Sequence, residues 1–399
     1  MKSTDQTSHA GSVVLSLNSG SSSLKFGVYR VTSTQTERLL SGEAETLGSG
    51  KSGFHARDAQ CREVASEEQS ITTMAQVMQR IGKLIAESQL PVLDAIGHRI
   101  VHGGPKLRQP CRIVPDVTRE LESAANFAPL HTPASLEVIS LAAQSFPSLS
   151  QVACFDTGFH ENMPEIARVL PLPKALRSQG IQRYGFHGLS CESIVQQLGA
   201  ELPARLIIVH LGNGSSVTAV RNGISIDTSM GLTPSGGVIM STRSGDLDPG
   251  VLIYLMREKK LDAAAIEALV DQKSGLLGIS GVGSDMRGLH AAATAQADAR
   301  LAIAMFCRSV RKQIVGMMAV LDGADMIVFT GGIGENDASV RATICADLAW
   351  AGIELSDPRN RTRSNPISHR GARCKVQVLP SQEDEQIARH TAAIVIQEC

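Results

Sequence analysis

The sequence has no excess of charge of either sign and no long apolar run. Lys and Arg number 38 and Asp and Glu 39, for a net charge of −1, so nothing favours nucleic acid or an anionic membrane surface as a partner. No stretch approaches the roughly 20 apolar residues of a membrane span. The polar start, 1–11, lacks the apolar core of a signal peptide and is predicted to be a disordered tail. We therefore expect a cytoplasmic protein with no membrane partner.

Paired cysteines and a P-loop are also missing. The eight cysteines are scattered, with no CxxC pair and no Cys/His cluster at zinc spacing, which predicts reduced thiols, many of them buried. The pattern GxxxxGK[ST] is absent, which excludes a P-loop enzyme. At 399 residues the chain is too long for one ordinary core, so we expect two domains of about 150–200 residues each.

Two turns rich in Gly and Ser lie half a chain apart, at 18–23 and 211–214. Strand candidates flank both turns, at 12–17, 24–30, 205–210 and 215–221. Aligning 20–22 on 214–216 gives an offset of 214 − 20 = 194, which favours an internal duplication. Such turns let a phosphate approach backbone N–H groups closely. Paired hairpins of this kind are similar to those with which the actin-like and sugar-kinase superfamily grips phosphates, although either turn alone could be structural.

Helical and strand patterns mix along the rest of the chain. Helices are predicted at 71–88, 135–144, 301–321 and 383–397, and strands at 95–101, 151–155 and 326–329. Strands mixed with helices in both halves predict an α/β fold, and the hairpins make its sheets mixed.

Charged side chains follow several of these strands. Arg99 comes at the end of a strand, and Arg243 lies in the small-residue loop 241–246. Phosphoryl transfer needs positive charge around three equatorial oxygens, which two arginines would supply. Lys25, just past the first turn, could add a point charge, and Asp156 ends a strand, where catalytic carboxylates usually sit. Taken singly, each is equally consistent with a structural or solvated side chain.

Two further segments are candidates for the site. The glycine-rich segment 331–336 follows a buried strand, so a nucleotide could lie against its backbone, although a structural turn is the alternative. His187 lies in an aromatic, glycine-rich stretch, where a histidine is often a structural hydrogen-bonding group.

Together these segments resemble the acetokinase family, the acetate kinases. The matching segments run in order over about residues 13–395, at 17–26, 97–104, 128–131, 155–157, 183–188, 210–214, 227–234, 242–246, 284–287 and 329–336. A collinear set of this length is far more specific than any one motif.

The resemblance implies a fold and a reaction. The fold would be α/β, with two duplicated actin-like, ribonuclease-H-like domains whose mixed sheets are flanked by helices, and an active site in the interdomain cleft. We expect an N-terminal domain over 12–157 plus 384–399 and a nucleotide-binding C-terminal domain over 158–383. The reaction would be reversible phosphoryl transfer between ATP and acetate, giving ADP and acetyl phosphate. Mg²⁺, or Mn²⁺ in its place, would be the cofactor, and the assembly a homodimer.

The resemblance also assigns roles to residues. The catalytic residues would be Arg99, Asp156, His187 and Arg243, with the arginines and His187 on the carboxylate and the transferring phosphoryl group. The acyl pocket would be formed by Val101, Leu130, Phe186 and Pro234. Nucleotide would be bound by Lys25, His210, Leu211, Gly212, Asn213, Gly214, Asp285, Met286, Arg287, Gly332, Ile333, Gly334, Glu335 and Asn336. Metal would be held by Asn18 and Glu383, with the register open within the acidic run 383–385.

A short carboxylate is ionised at pH 7, because carboxyl pKa values lie at about 4. The nucleophile therefore needs no general base, and we expect Asp156 to orient groups or help place the metal.

Some positions depart from the family pattern. Ser19, Cys191 and the pair Ser235–Gly236 stand where other residues are usual, which leaves acetate, propionate and butyrate open as substrates. A nucleotide switch of the actin type, without kinase activity, would need both hairpins but would have no use for Arg99, Arg243 and an acyl pocket.

Overall fold

The computed structural model describes residues 11–20, 23–45, 53–68, 71–129 and 131–396. The predicted tail, apart from Gly11, and Leu130 of the predicted acyl pocket lie outside these residues. The chain divides into two units. Unit 1 comprises Met1–Gly158 and Gln382–Cys399, and unit 2 comprises Phe159–Ser381.

Strands and helices occur in both units. The strands are β1 (Ser12–Ser19), β2 (Leu24–Val31), β3 (Thr36–Glu45), β4 (Gly53–Asp58), β5 (Glu63–Glu68), β6 (Ala95–Ile100), β7 (Cys111–Arg112), β8 (Ser150–Phe155), β9 (Arg205–Leu211), β10 (Ser215–Arg221), β11 (Ile224–Thr228), β12 (Met326–Thr330) and β13 (Lys375–Val378). The helices are α1 (Met74–Glu87), α2 (Pro115–Ser123), α3 (Thr132–Ser145), α4 (Glu165–Arg168), α5 (Lys174–Arg177), α6 (Gly188–Leu198), α7 (Pro249–Glu258), α8 (Ala263–Gln272), α9 (Gly275–Ser280), α10 (Met286–Ala292), α11 (Ala297–Leu321), α12 (Gly331–Asn336), α13 (Ala338–Cys345), α14 (Asp357–Thr362) and α15 (Glu383–Ile396).

The two sheets share a five-strand arrangement. The sheet of unit 1 has the order β5-β4-β3-β2-β1-β6-β8-β7, and that of unit 2 has β11-β10-β9-β12-β13. In both, the opening hairpin, β1–β2 or β9–β10, is antiparallel. Its first strand pairs in parallel with β6 or β12, and that strand pairs in parallel with β8 or β13. The predicted α/β duplication with mixed sheets is therefore confirmed.

The predicted alignment of the two turns is wrong in detail. The first turn is four residues long, since Ser19 pairs with Leu24, whereas the second is three residues long, since Leu211 pairs with Ser215. Ser215 already belongs to β10, so the ends of the first strands differ by 211 − 19 = 192 positions and not by 194. A pattern of Gly and Ser cannot reveal turn length, because these residues suit both a turn and a strand start.

Helices cover both faces of the unit 1 sheet. Val13, Leu15 and Leu17 face the core that holds α1 and α3, and Val14 packs against α15 on the other face. A Cβ added to Gly97 of β6 would overlap the Thr391 hydroxyl of α15. Glycine therefore permits the close approach of α15 to β6.

The longest helix lies in unit 2. Buried residues of α11 recur at helical spacing, from Ala299 through Phe306 and Val310 to Leu321, and face the sheet. The opposite face of the sheet is covered by α6 through Cys191, Ile194 and Leu198.

Two composition-based predictions can be compared with these elements. All the described cysteines are free thiols, and five of them are buried: Cys154, Cys191, Cys307, Cys345 and Cys374. In the described part of the chain, no helix is both long enough and apolar enough to cross a membrane.

Candidate active site

Three predicted site residues of unit 1 lie at the carboxyl ends of neighbouring strands. Asn18 is in β1, Arg99 is in β6, and Asp156 follows β8 and donates its backbone N–H to the Ile100 carbonyl. Side chains alternate along a strand, so Asn18 shares the α15 face with Val14, and Arg99 shares it with Gly97. The parallel strands therefore bring these side chains to one edge of the sheet.

Hydrogen bonds join the three side chains. Arg99 donates through Nη2 to Asp156 Oδ2 at 2.6 Å and through Nε to both carboxylate oxygens at 3.1 Å. Its Nη1 donates to Asn18 Oδ1 at 3.1 Å. The Asp156 side chain is 1% exposed and that of Arg99 17%. The forked guanidinium thus holds a buried carboxylate in one orientation.

The start of α15 completes this network. Asn18 Nδ2 donates to Glu383 Oε2 at 3.1 Å and to Asp384 Oδ1 at 3.0 Å. Sequence reasoning chose Glu383 and left the register open within 383–385, and in the structure both Glu383 and Asp384 contact Asn18. Helix α15 begins at Glu383 and packs as a whole on the unit 1 sheet, so Glu383 belongs to unit 1, although it was expected at the end of the second domain.

The pKa values in this network reflect burial and charge. Burial raises the pKa of Asp156, although the Arg99 charge and hydrogen bonds act to lower it. Burial also raises the pKa of Asp384, against the hydrogen bond from Asn18. Burial alone lowers the pKa of Arg99, but Asp156 and Glu383 raise it above its ordinary value. The guanidinium therefore stays charged.

The network fits a divalent cation in its chemistry. Amide and carboxylate oxygens are the ligands that Mg²⁺ prefers. In this conformation the Asn18 amide oxygen accepts from Arg99, and its Nδ2 faces the carboxylates of α15. Asp156 accepts from Arg99, whereas Glu383 and Asp384 both accept from the neutral amide of Asn18. The charges of all three carboxylates act to raise the pKa of Arg99, and such a cluster favours a bound cation. The described ranges contain no ready-made group of three His, Cys, Asp or Glu ligands.

Lys25 lies across the first hairpin from Asn18. The two residues pair directly in the antiparallel ladder, so their side chains point to the same face. Lys25 is exposed, and its charge acts to lower the pKa of Asp384.

In unit 2, His187 begins α6 in an unusual conformation. Its φ is 57°, in the left-handed region that residues other than glycine rarely adopt. Its Nδ1 is 2.9 Å from the Ser216 hydroxyl, and its ring stacks on that of His210 with centroids 4.1 Å apart. His210 Nδ1 is in turn 2.8 Å from the Ser190 hydroxyl. Strained residues that are held this firmly are typical of functional sites.

The second turn lies beside His187 and Arg243. A Cβ added to Gly214 would be 3.0 Å from His187 Nε2 and 3.3 Å from Arg243 Nη1. The Ser241 backbone N–H and hydroxyl donate to Asn213 at 3.3 and 3.4 Å, which ties the arginine loop to the turn. Arg243 Nη1 also donates to the Pro234 carbonyl at 3.2 Å. The structure thus brings three predicted segments of unit 2 together.

The glycine-rich segment 331–336 is a short helix, α12, rather than an open turn. Gly331 has a φ of 77°, and a Cβ there would be 2.7 Å from the Leu211 carbonyl oxygen and 3.1 Å from His210 Nε2. Glu335 Oε1 accepts from the backbone N–H of Gly331 at 3.2 Å and of Ser381 at 2.9 Å. This segment therefore packs against the end of β9, beside the second turn.

The segment 285–287 starts another helix. Asp285 caps α10 by accepting from the Gly288 N–H at 3.2 Å, while Met286 is buried in the core. The Arg287 side chain is 92% exposed. His290 of α10 contacts Asp337, just after α12, at 2.7 Å, which connects this segment to the glycine-rich one.

The predicted acyl-pocket residues are divided between the units. Val101 is buried in unit 1, whereas Phe186 is buried and Pro234 half-buried in unit 2. A cavity of about 360 Å³ near Cys345 and His369 has no predicted site residue in its lining.

Comparisons with known proteins identify the family of this chain. The Acetokinase family profile matches residues 13–389. The chain is 40% identical to the acetate kinase of Methylocella silvestris, over 96% of this chain and 98% of that protein. The crystal structure of Porphyromonas gingivalis acetate kinase matches with a TM-score of 0.84 at 35% identity, over 96% of this chain and 100% of that one.

A second kind of kinase has the same fold. The crystal structure of a propionate kinase from Francisella tularensis matches with a TM-score of 0.88 at 35% identity, again over 96% of this chain and 100% of that one. These similarities confirm the predicted actin-like α/β fold and the family resemblance. The chain belongs to the acetokinase family.

Proposed function

We propose that this protein catalyses reversible transfer of the γ-phosphoryl group of ATP to acetate, giving ADP and acetyl phosphate. Family membership over residues 13–389 supports the reaction class. The observation that carries the proposal is the Arg99–Asp156 pair, in which a buried carboxylate holds a charged guanidinium at the end of β6. A guanidinium fixed in this way can bind and orient a carboxylate or phosphoryl group.

The reaction needs no general base. Acetate is ionised at neutral pH, because carboxyl pKa values lie at about 4. Asp156 is buried and accepts three hydrogen bonds from Arg99, so its role would be to position the arginine. The site's task is to bring two anions into line and to offset their charge.

Unit 2 would supply donors to the transferring group. His187 Nε2 and Arg243 Nη1 would be 3.0 and 3.3 Å from a Cβ added to Gly214. Because glycine has no side chain, a phosphate could approach the backbone there. The two groups would bind the equatorial oxygens as charge develops on them.

Nucleotide and metal would use the remaining predicted residues. The turn 210–214 and Lys25 would contact phosphates, and 285–287 with 332–336 would line the adenosine. Asn18, Glu383 and Asp384 would hold Mg²⁺ or Mn²⁺, which when bound supplies positive charge to the phosphate oxygens.

Propionate is a second candidate acceptor. The similarity to a propionate kinase supports it, and Ser235 lies beside the predicted acyl pocket, where its hydroxyl donates to the Asp271 carboxylate. Val101, which is buried, would favour a small acyl group such as that of acetate if it lines the acyl pocket.

A substrate panel tests the proposal. The protein is incubated with ATP, Mg²⁺, hydroxylamine and either acetate, propionate or butyrate, and the acyl hydroxamate is measured. We expect the highest catalytic efficiency with acetate, a lower one with propionate and the lowest with butyrate. ATP hydrolysis without any hydroxamate would contradict the proposal and favour a nucleotide switch.

The homodimer, implied by the family resemblance, and the cytoplasmic location, expected from the composition and the polar start, remain predictions. Analytical ultracentrifugation of the purified protein measures the first, and fractionation of the source cells measures the second.

A further inference from the structure

Arg341 is among the largest fully buried side chains, at 1% exposure, and no role described above uses it. Its Nη1 donates to the backbone carbonyls of Gly334 at 2.8 Å and Glu335 at 2.9 Å. Its Nε and Nη2 donate to the side-chain and backbone oxygens of Asn360, at 2.8 and 2.7 Å. Every one of these acceptors is neutral.

A buried guanidinium without a carboxylate partner needs an explanation. Among the described residues Arg341 forms no salt bridge within 4.0 Å, and burial lowers its pKa although the Asp337 charge acts to raise it. Burying a charge in this way costs stability unless hydrogen bonds compensate. The compensation here comes from the last carbonyls of α12, which have no partner within their own helix.

The start of α12 is fixed separately. Gly331 packs on the Leu211 carbonyl, and Glu335 accepts from the Gly331 N–H. The two ends of α12 are therefore held by different groups, the first by backbone packing against β9 and the second by Arg341.

Asn360 fixes Arg341 in turn. Asn360 is 1% exposed, and its Nδ2 donates to the Ala338 carbonyl at 2.8 Å, so its amide is oriented with Oδ1 toward Arg341. Arg363 adds a contact from the end of α14, donating to Asn336 Oδ1 at 3.0 Å. Helix α14 thus acts as a support behind the glycine-rich segment.

We propose that Arg341, oriented by Asn360, is a positioning residue for nucleotide, because it holds α12 in the conformation in which residues 332–336 meet the adenosine. The inference rests on the proposed function for the identity of the ligand. It assigns to Arg341 no contact with substrate.

The test is the affinity for ADP of an Arg341→Lys variant. Lysine keeps the charge but has one nitrogen, so it cannot reach the two α12 carbonyls and both oxygens of Asn360 together. By calorimetry we expect ADP to bind about tenfold more weakly, the change that loss of one or two hydrogen bonds produces. In steady-state assays KM for ATP should rise by a similar factor, while KM for acetate stays within about twofold.

Arg311→Lys is the matched control. Arg311 makes the same kind of contact in the same unit, donating to the carbonyls of Thr343 and Ile344 at the end of α13, but it does not touch α12. We expect ADP affinity to be unchanged in this variant. Equal weakening in both variants would overturn the inference, because it would mean general loosening of unit 2.

A folded Arg341→Lys protein with wild-type ADP affinity would also overturn the inference. Should that variant fail to fold, Asn360→Ala removes the acceptor of Arg341 Nε, together with the Asn360 donor to Ala338, and leaves the backbone acceptor of Nη2 in place. It should weaken ADP binding severalfold; unchanged affinity there overturns the inference equally. Failure of the proposed function is recognised separately, since the wild-type protein would then bind no ADP or form no acetyl phosphate.

Discussion

At the residue scale, the candidate site depends on how each charged side chain is held. Arg99 is fixed by Asp156 and Asn18 in unit 1, whereas Arg243 is fixed by the Pro234 carbonyl in unit 2. In the proposed function, each guanidinium group would meet its substrate in a set orientation, which would reduce the entropy lost at the moment of reaction.

Removal of either arginine should reduce turnover and spare nucleotide binding. We expect Arg99→Ala and Arg243→Ala to lower kcat by about 10²–10³-fold, the usual cost of losing one preorganised donor. Steady-state kinetics measures this loss, and calorimetry with ADP should give an affinity close to that of the wild type.

Arg30→Ala is the control for this pair. Arg30 of β2 forms an exposed ion pair with Glu37 of β3, at 2.7 Å. Such pairs contribute about 0–1 kcal/mol to stability. Its kcat should stay within about twofold of the wild type. Near-normal turnover in Arg99→Ala or Arg243→Ala would contradict the roles given to them.

Much of this residue-scale arrangement could be predicted from the sequence. Arg99, Asp156 and Asn18 each end an apolar strand, and strand periodicity puts them on one face. That both Glu383 and Asp384 contact Asn18 could not be predicted, because the start of a helix sets which acidic residues face the sheet and boundaries are uncertain by a few residues. The contact between His187 and Ser216 joins residues far apart in the chain, and no local pattern indicates it.

At the element scale, α15 determines whether the acidic residues meet Asn18. The helix approaches β6 at Gly97, where a Cβ would come within 2.6 Å of Ile387 Cγ2 and overlap the Thr391 hydroxyl. We expect Gly97→Ala to lower the free energy of unfolding by about 1–3 kcal/mol, because α15 must shift. Urea unfolding followed by circular dichroism measures the change.

Gly82→Ala is the matched control for Gly97→Ala. Gly82 lies inside α1, and the nearest neighbour of an added Cβ is Phe146 Cζ at 4.0 Å. We expect this variant to be more stable by up to about 1 kcal/mol, since alanine favours the helix. Equal stability of the wild type and Gly97→Ala would show that the packing of α15 is looser than the structure indicates.

Among the elements, the long or regular ones were predicted well. The predicted helices at 71–88, 301–321 and 383–397 correspond to α1, α11 and α15, because their apolar stripes are continuous. Segment 331–336 was predicted to be a glycine-rich segment for nucleotide, with a structural turn as the alternative, and it is the helix α12. Glycine disfavours a helix. Helix α12 forms because Glu335 accepts from the N–H at its start and Arg341 donates to a carbonyl at its end. The contact with Arg341 is tertiary, so no local sequence pattern predicts it.

At the scale of the whole molecule, a buried histidine in the sheet of unit 1 makes stability depend on pH. His98 is 2% exposed and contacts Gln151 at 2.6 Å, and burial lowers its pKa to about 4. Between pH 4 and about 6.5 the unfolded chain binds this proton and the folded chain does not, so the free energy of unfolding falls as pH falls.

The His98→Gln variant isolates this effect. At pH 5 His98 contributes about 2 kcal/mol of the destabilisation relative to pH 7. The loss of stability between pH 7 and pH 5, measured by urea unfolding, should be smaller by about that amount in the variant. An identical loss in both proteins would contradict the lowered pKa.

The division into two similar units was also accessible from the sequence, through the repeated hairpin, whereas the strand order of each sheet was not. Hairpins reveal local pairing, but the parallel pairing of β1 with β6 and of β9 with β12 joins residues many positions apart. The actin-like fold was predicted from the family resemblance, because periodicity alone does not indicate it.

The central claim is that a carboxylate oxygen of acetate attacks the γ-phosphorus of ATP. The most direct test is a reaction of the protein with ATP, Mg²⁺ and ¹⁸O-labelled acetate, followed by ³¹P nuclear magnetic resonance. We predict an acetyl phosphate resonance with the shift that a phosphorus–¹⁸O bond causes, since the bridging oxygen comes from acetate. Formation of inorganic phosphate alone, or of acetyl phosphate without the isotope shift, would contradict the claim.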